Sequence, residues 1–322
     1  MVSLVRDLGF RVGQFAVPTL PAAEIAAVID ILMARHGPDS AAVSPHAEEA
    51  SVRAEVTRAA PNLAQFAAGL KAALDDSHSG AYVPRLGLDH LDVAKRRFVL
   101  YAISLCLGSP TATDQVERRV IWDIKARDES LAPGHVPTYS EHAAEAELHT
   151  DTQYFQDPER YLILYFVRPA ACGGGVSMLR DGACVREQMA RSPEGQWAVD
   201  YLYRQELPFR IPTTFTSTGA GDRVEMTFAP IFAQRPGIRY RVDTLRRGLK
   251  ELPHYDTPDL RRALGLLEAE LDNSERRIDH FCQADDFLII DNHEILHGRS
   301  RFSDRERHAI RIRIDDRALV AG

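Results

Sequence analysis

The sequence lacks the features that would suit an oxidising compartment or a membrane. Its four cysteines lie far apart and form no Cys-x-x-Cys pair, so free thiols in a reducing cytoplasm are expected. No apolar run approaches the roughly 20 residues that span a bilayer. The N-terminus also lacks the apolar core and small-residue cleavage site of a secretory signal. We therefore expect a soluble, cytoplasmic protein with no membrane partner.

An excess of basic residues, internal repeats and low-complexity segments are also lacking. Lysine and arginine together number 39 against 46 aspartates and glutamates, which gives a net charge of −7. Nucleic-acid-binding proteins are usually basic, so this charge argues against a nucleic-acid partner. Hydrophobic residues make up 45% of the 322 positions, enough for a sizeable core. No linker is visible, and we interpret residues 1–322 as a single domain.

Apolar residues recur at helical spacing in the first third of the chain. The spacing predicts helices over 21–36, over 48–76 with a restart near Pro61, and over 88–107. We therefore expect residues 1–118 to form a mainly helical layer.

From residue 119 the pattern becomes β-like, with short apolar or alternating runs between prolines and glycines. The predicted strands are 120–125, 161–167, 173–179, 209–215, 223–232, 238–242, 287–291 and 309–315, and the predicted helices are 184–204 and 258–276. A helical layer followed by many short strands indicates an α+β protein with a jelly-roll core over 119–316 and a helical insertion near 258–276. The polar segment 126–147 is either an active-site lid or a surface loop.

A histidine and a carboxylate stand two positions apart in the segment 148–154. Alternate side chains of an extended segment point to the same face, so His149 and Asp151 can reach one ion. One imidazole and one carboxylate supply two of the three ligands of a 2-His-1-carboxylate iron(II) site. The pair alone is a weak signal, so a third ligand has to come from elsewhere in the chain.

Two interpretations compete for the third ligand. The segment His293-Glu294-x-x-His297 matches the His-Glu-x-x-His pattern of zinc metalloproteases, whose chemistry requires a helix. The local sequence opposes a helix, because an apolar strand and a turn precede the motif and Gly298 follows it. The favoured interpretation uses His297 alone, brought to His149 by facing strands of the barrel.

Two arginines after His297 favour iron over zinc. Three protein ligands leave three positions of an octahedral iron open, two for a 2-oxo acid and one for dioxygen. The far carboxylate of 2-oxoglutarate then needs a cation, and the planar fork of arginine binds a carboxylate bidentately. Arg307 and Arg311 lie on or just before a predicted strand, where residues four apart share a face. Solvated surface arginines are the alternative interpretation.

Taken together, these motifs resemble the taurine dioxygenase/clavaminate synthase-like family of iron(II)/2-oxoglutarate-dependent oxygenases. The resemblance covers residues 119–316 and rests on four segments, His149-x-Asp151, Gly174-Gly-x-Ser177, Asp291-Asn-His-x-x-Leu-His297-Gly-Arg299 and Arg307-x-x-x-Arg311. It implies a double-stranded β-helix that uses iron(II), 2-oxoglutarate and O2. Family halogenases carry a small residue in place of the carboxylate ligand, so the presence of Asp151 disfavours halogenation.

The resemblance also implies roles for single residues. The implied iron ligands are His149, Asp151 and His297. Arg307 matches the arginine that pairs with the side-chain carboxylate of 2-oxoglutarate. Ser177 stands where a threonine hydroxyl often helps to bind that carboxylate, and Arg299 is expected to be structural.

Substrate contacts are expected from residues near the metal. Arg311 matches a second family arginine that faces an acidic group of the substrate, with an internal salt bridge as the alternative. Gln153, Tyr154 and Phe155 follow the ligand pair and should border the pocket mouth, and Trp122 lies on the strand before the lid. Core packing is the alternative for Tyr154 and Trp122. The extra cation favours an amino-acid-like or carboxylate-bearing substrate, free or attached to a carrier protein.

The resemblance implies that 2-oxoglutarate is converted to succinate and CO2 while a substrate C–H bond is oxidised. Hydroxylation is the default outcome, and desaturation, cyclisation and epoxidation stay open. We expect a role in specialised metabolism. Two other functions remain as alternatives, a zinc metallohydrolase that uses His293, Glu294 and His297, and a non-catalytic β-barrel binding protein.

Overall fold

Helices and strands are mixed along the chain. The computed structural model describes residues 11–114, 117–126, 139–212, 215–216 and 224–316. Eight α-helices lie within these residues: α1 Ala22–His36, α2 Glu49–Ala59, α3 Pro61–Asp76, α4 Val93–Leu107, α5 Gly182–Met189, α6 Pro193–Arg204, α7 Val242–Glu251 and α8 Pro258–Leu271. The strands are β1 Val12–Gln14, β2 Gly80–Val83, β3 Ser109–Pro110, β4 Trp122–Ile124, β5 Ala146–His149, β6 Tyr161–Arg168, β7 Ser177–Asp181, β8 Leu207–Arg210, β9 Met226–Ala229, β10 Ile278–His280, β11 Phe287–Asp291, β12 Ile295–Arg299 and β13 His308–Asp315.

Helices α1 to α4 form one layer, as the sequence predicted for the first third of the chain. Pro61 begins α3, because a residue in the first turn of a helix needs no backbone donor. Helix α4 begins at Val93, later than predicted, because the Asp92 carboxylate accepts a hydrogen bond from the Lys95 backbone N–H and caps the helix there. The apolar faces of the four helices pack in one cluster with side chains of the larger sheet.

The strands form two main sheets and one short pair. The larger sheet has the order β1-β2-β11-β6-β13-β3, with β4 also paired to β13, and the smaller sheet has the order β10-β7-β12-β5. Strand β6 alternates between two environments. Tyr161, Ile163 and Tyr165 pack against the helices, whereas Leu162 and Phe166 join a cluster that includes side chains of the smaller sheet. The two sheets therefore share a core that lies between them.

A second helical layer covers the other face of the smaller sheet. Leu148 of β5, Met178 of β7 and Leu296 of β12 pack there with residues of α5 to α8. Ile295, next to Leu296 in β12, belongs instead to the cluster between the sheets. Since side chains alternate along a strand, His297 also points to the space between the sheets.

Two predicted elements are wrong, and other elements were missed. The predicted helix 184–204 is two helices, because Ser192 caps α6 and Pro193 starts it afresh. The predicted strand 238–242 is reduced to a single bridge between Phe232 and Ile238, after which the chain enters α7, a helix that was not predicted. Strands β1 and β2 were also missed, and they are only three and four residues long.

Some predicted segments fall partly outside the described residues. Residues 127–138, most of the predicted lid, lie outside them, as do parts of the predicted strands 209–215 and 223–232. Strands β8 and β9 are the described parts of that region and pair with each other. Among the described residues, no helix combines the length and the apolarity needed to cross a bilayer.

A half-buried histidine in the helical layer makes stability depend on pH. Burial, with a smaller contribution from His46, lowers the pKa of His36 from 6.5 to about 4. The unfolded chain binds a proton in this window and the folded chain does not, so the stability present above pH 6.5 is lost as the pH falls towards 4. We expect His36→Gln to flatten this decline relative to the wild-type protein. Urea unfolding of both proteins between pH 6.5 and pH 4 measures the free energy of unfolding at each pH. The same decline in both proteins would contradict the prediction.

Candidate metal centre

Two histidines and an aspartate from distant parts of the chain meet between the sheets. His149 ends β5, His297 lies in β12, and the two are direct partners in the antiparallel register of these neighbouring strands. The Asp151 Oδ1 atom lies 3.5 Å from His149 Nε2 and 3.8 Å from His297 Nε2. All three side chains are between 3% and 8% exposed. Sheet pairing therefore brings the predicted ligands together on one point.

Asp151 reaches that point from a turn and not from a strand. Strand β5 stops at His149, and Thr152 adopts a left-handed backbone conformation with φ of +51°. The Thr152 hydroxyl donates to Glu159 Oε2 at 2.5 Å, which holds the turn. The prediction that both ligands share one face of an extended segment is thus wrong in its local geometry, although it names the right pair of side chains.

The protonation states suit a metal. Burial, together with the nearby His149, lowers the pKa of His297 to about 3, so its imidazole is neutral. The His149 Nδ1 atom lies 2.8 Å from the Glu147 carbonyl, which can only accept, so Nδ1 carries a proton and Nε2 is the nitrogen left to face a metal. Burial opposes ionisation of Asp151, but Arg311 and the imidazoles outweigh it and hold the pKa of the carboxyl well below its usual value.

A cavity beside the triad is lined by the predicted 2-oxoglutarate residues. Arg307 and Ser177 both border it, together with His149 and His297. Arg307 is 5% exposed, and its buried Nη1 atom has no hydrogen-bond partner in the described part of the chain. Burial lowers the pKa of Arg307 to about 10, so it still carries its charge near neutral pH. An unpaired buried guanidinium is suited to an incoming carboxylate.

A glycine makes room for that guanidinium. Gly175 has φ of +74°, and a Cβ atom there would lie 2.8 Å from Arg307 Nε. Its left-handed conformation and the close approach both favour glycine over any larger residue. The glycine-rich turn of the Gly-Gly-x-Ser motif thus packs against Arg307, and Ser177 begins β7 directly after it.

The structure gives the other two arginines of the motif internal partners. The Arg311 Nη1 atom lies 2.9 Å from Asp151 Oδ2, so the internal salt bridge, left open by the sequence, is formed. Arg299 donates to the backbone carbonyls of Tyr139, His142 and Ala144, in agreement with its expected structural role. Arg299 therefore holds the end of the segment that was predicted to be a lid.

The four remaining substrate candidates do not line the cavity. Gln153 is fully buried and its amide donates to the Thr244 hydroxyl at 2.7 Å. The Tyr154 ring packs edge-on against Phe155, and both belong to the apolar cluster under the second helical layer. The Trp122 indole donates to the Ser140 hydroxyl at 3.0 Å. These contacts match the core-packing alternative for Tyr154 and Trp122, and substrate contact by the four side chains stays a prediction.

Sequence reasoning missed one aromatic and one charged side chain near the metal ligands, Tyr139 and Arg241. The Tyr139 ring packs edge-on against His149, with 4.9 Å between ring centroids. The Arg241 guanidinium lies 4.3 Å from the centre of the Tyr139 ring and is paired with Asp243 at 2.7 Å. Arg241 precedes the unpredicted helix α7, and no motif in the sequence marks it.

The zinc interpretation lacks the helix that it requires. His293 and Glu294 lie in a turn, and the strand β12 begins at Ile295. The His293 Nε2 atom contacts the Pro158 carbonyl at 2.9 Å. Only His297 of this motif belongs to the group formed with His149 and Asp151.

A second group of potential ligands, His280, Cys282 and Asp286, lies near Ser177. Both oxygens of Asp286 already accept hydrogen bonds, from the Tyr82 hydroxyl and from two backbone N–H groups. Burial raises the pKa of the Cys282 thiol to about 12, and this thiol donates to Ser177 at 3.7 Å. Asp286 and Cys282 are therefore engaged in hydrogen bonds of their own, whereas the buried Nε2 of His280 has no partner among the described residues.

Comparisons with known proteins agree with this geometry. The profile of the family described as "Taurine catabolism dioxygenase TauD, TfdA family" matches residues 46–313. An asparagine oxygenase solved with Fe(II), 3-hydroxyasparagine and succinate is similar in fold, with a TM-score of 0.64, 16% identity, and coverage of 94% of this chain and 93% of that one. The non-heme iron oxygenase OrfP, solved with Fe and alpha-ketoglutaric acid, is also similar in fold. Its TM-score is 0.61 and its sequence identity is 17%, and the match covers 94% of this chain and 94% of that one. No curated protein sequence matches significantly.

The salt bridge between Arg311 and Asp151 can be tested in the metal-free protein. Arg311→Met leaves a buried carboxylate without its cation, which should lower the free energy of unfolding by about 3–5 kcal/mol. Added iron(II) supplies a replacement charge, so the rise in Tm on adding it should be larger in the variant than in the wild-type protein. Calorimetry with and without iron(II), under argon, measures both quantities.

The matched control is Arg262→Met, which removes an exposed arginine paired with Glu194. Exposed pairs contribute little, so this variant should unfold like the wild-type protein. An Arg311→Met protein as stable as this control would contradict the internal pair.

Proposed function

The chain belongs to the taurine catabolism dioxygenase TauD, TfdA family and is an iron(II)/2-oxoglutarate-dependent dioxygenase, and we propose that it hydroxylates a C–H bond of a small amino-acid-like substrate. The observation that carries the proposal is one cavity with two different sites. The metal triad lies at one side of it, and Arg307, whose Nη1 atom has no partner among the described residues, borders the same space. A 2-oxo acid with a second carboxylate is a ligand that needs both.

The three metal ligands fit iron(II) by their chemistry. Two imidazoles and one carboxylate form the facial set of non-heme iron oxygenases and leave three positions open. When bound, iron(II) with 2-oxoglutarate and O2 supplies the oxidising power, and succinate and CO2 are the co-products. His149, Asp151 and His297 would hold the metal, and the carboxylate of Asp151 would offset part of its charge.

The arginines around the cavity have different tasks. Arg299 is committed to three backbone carbonyls and Arg311 to Asp151. The buried Nη1 atom of Arg307 has no partner among the described residues and is available for the far carboxylate of 2-oxoglutarate, and Ser177 borders the same cavity. We assign cosubstrate binding to this pair. Burial in a region of low dielectric strengthens a charge-assisted hydrogen bond of this kind.

An amino-acid-like substrate is supported by the related structures. The asparagine oxygenase was solved with 3-hydroxyasparagine, and OrfP was solved with (3S)-hydroxy-L-Arg. Of the substrate candidates predicted from the sequence, Arg311 borders the cavity, and its buried Nε atom has no partner among the described residues, so beside its ion pair with Asp151 it is the one that we propose for contact with an acidic group of the substrate. The proposal covers free and carrier-attached amino acids. We also propose that the two facing sheets are the halves of a double-stranded β-helix.

The activity is tested by a screen of amino acids with iron(II), ascorbate and 2-oxoglutarate. We expect succinate and a product heavier by one oxygen atom with a suitable substrate. His149→Ala and Asp151→Ala should each lose this turnover without unfolding, because each removes one metal ligand. Mass spectrometry of the product and circular dichroism of the variants are the measurements. Turnover that survives in both variants would overturn the site, and no succinate with any substrate would favour a binding protein.

Arg307→Gln tests cosubstrate binding separately. Loss of a charge-assisted contact should raise KM for 2-oxoglutarate by about ten- to a hundredfold. Arg307→Lys keeps the charge and loses the fork, so its KM should rise less. Iron(II) affinity without 2-oxoglutarate serves as the internal control and should stay at the wild-type value in both. An unchanged KM in Arg307→Gln would assign the far carboxylate to another residue.

A further inference from the structure

The turn between β11 and β12 contains a buried asparagine that contacts the metal-binding segment. Asn292 is 2% exposed and precedes the strand that carries His297. Its Oδ1 atom accepts the Asp151 backbone N–H at 2.7 Å, and its Nδ2 atom donates to the Asp151 carbonyl at 3.0 Å. The same Nδ2 donates to the Glu159 carbonyl at 2.9 Å. One side chain therefore satisfies both backbone groups of a metal ligand.

Asp151 needs such a partner because it lies beyond the end of β5. Its backbone N–H and carbonyl are not paired in a strand ladder, and buried backbone groups without partners are costly. The next residue, Thr152, holds a left-handed conformation that a non-glycine residue rarely adopts. The turn persists only if surrounding contacts hold it, and the Asn292 amide makes the contacts at Asp151 itself.

We propose that Asn292 is a positioning residue for the iron ligand Asp151. Its amide makes the backbone hydrogen bonds that a neighbouring strand would otherwise make with Asp151. It thereby links the turn that carries this carboxylate ligand to the segment just before the strand that carries His297. Arg311 forms a salt bridge with the side chain of Asp151 at Oδ2. The ligand is thus fixed at its backbone by Asn292 and at its carboxylate by Arg311. The proposal concerns metal binding alone and is independent of the substrate.

The chemistry of the contacts calls for an amide. The side chain at this position accepts one hydrogen bond and donates two. A substitute must therefore keep both functions at the length of an asparagine side chain. An aspartate would keep the acceptor and would place a second oxygen against two carbonyls. An alanine would remove all three hydrogen bonds. The two variants therefore separate loss of the donors from loss of the whole contact.

Anaerobic titration of the metal-free protein with iron(II) tests the proposal. Partners that orient a metal ligand typically change metal affinity by about ten- to a hundredfold when they are replaced. We expect a loss of this size in Asn292→Ala and in Asn292→Asp. The visible absorption band of the protein with iron(II) and 2-oxoglutarate should also shift or weaken, because it reports on the arrangement of the ligands.

Two control variants separate positioning from general stability. Asn273→Ala removes another turn asparagine, whose side chain accepts the Glu275 N–H far along the chain from the metal ligands. Leu70→Ala opens a cavity in helix α3 of the first helical layer, where Leu70 is 1% exposed, and destabilises the whole protein. Both controls should bind iron(II) with wild-type affinity.

Iron(II) affinity distinguishes a positioning role of Asn292 from a contribution to general stability. Wild-type iron(II) affinity in a folded Asn292→Asp protein would overturn the proposal. A loss of affinity in Leu70→Ala equal to that in Asn292→Asp would overturn it as well, since stability alone would then explain the effect. Neither result depends on turnover, so failure of the proposed hydroxylation leaves this test intact.

Discussion

The negative charge of Asp151, which is only 3% exposed, is the constraint on which the polar structure of this protein depends. A buried carboxylate is tolerated only with a cation or a metal beside it and with its remaining lone pairs satisfied. Arg311 lies at Oδ2, two imidazoles lie near Oδ1, and Asn292 satisfies the backbone. These partners come from β5, β12, β13 and the turn before β12. Compensating one charge therefore requires strands of both sheets to be in register.

The sheet order explains how residues so far apart in sequence reach one point. Strand β12 lies between β7 and β5, so His297 is next to His149 on one side and to the strand of Ser177 on the other. Arg307 and Arg311 arrive from β13 and the turn before it, across the shared core. The helical layers supply no metal ligand. Their part is to bury the outer faces of both sheets.

Sequence reasoning reached the metal ligands and missed their supports, for a physical reason. Ligands are restricted to a few residue types at restricted spacings, so His149, Asp151 and His297 are visible in a single sequence. A supporting hydrogen bond can come from any polar residue that the fold brings near, and the Asn292 contact spans 141 positions. Helix α7 was missed for a different reason. Its buried residues, Val242, Leu245 and Leu249, have helical spacing, but they are few and lie among charges.

The arginines show why residue type and spacing cannot assign a role. Arg299, Arg307 and Arg311 all follow the third ligand and all border the cavity. Their partners distinguish them. The Nη atoms of Arg299 donate to backbone carbonyls and Nη1 of Arg311 pairs with a carboxylate, so each keeps a buried Nε unpaired, whereas in Arg307 it is the buried Nη1 that has no partner among the described residues. A guanidinium whose donors are already used cannot bind an incoming anion without first breaking those contacts, and in a buried site each break leaves an unsatisfied group. The arginine with the fewest internal partners among the described residues is therefore the one that we propose for 2-oxoglutarate, and it is the same arginine that the family resemblance indicated.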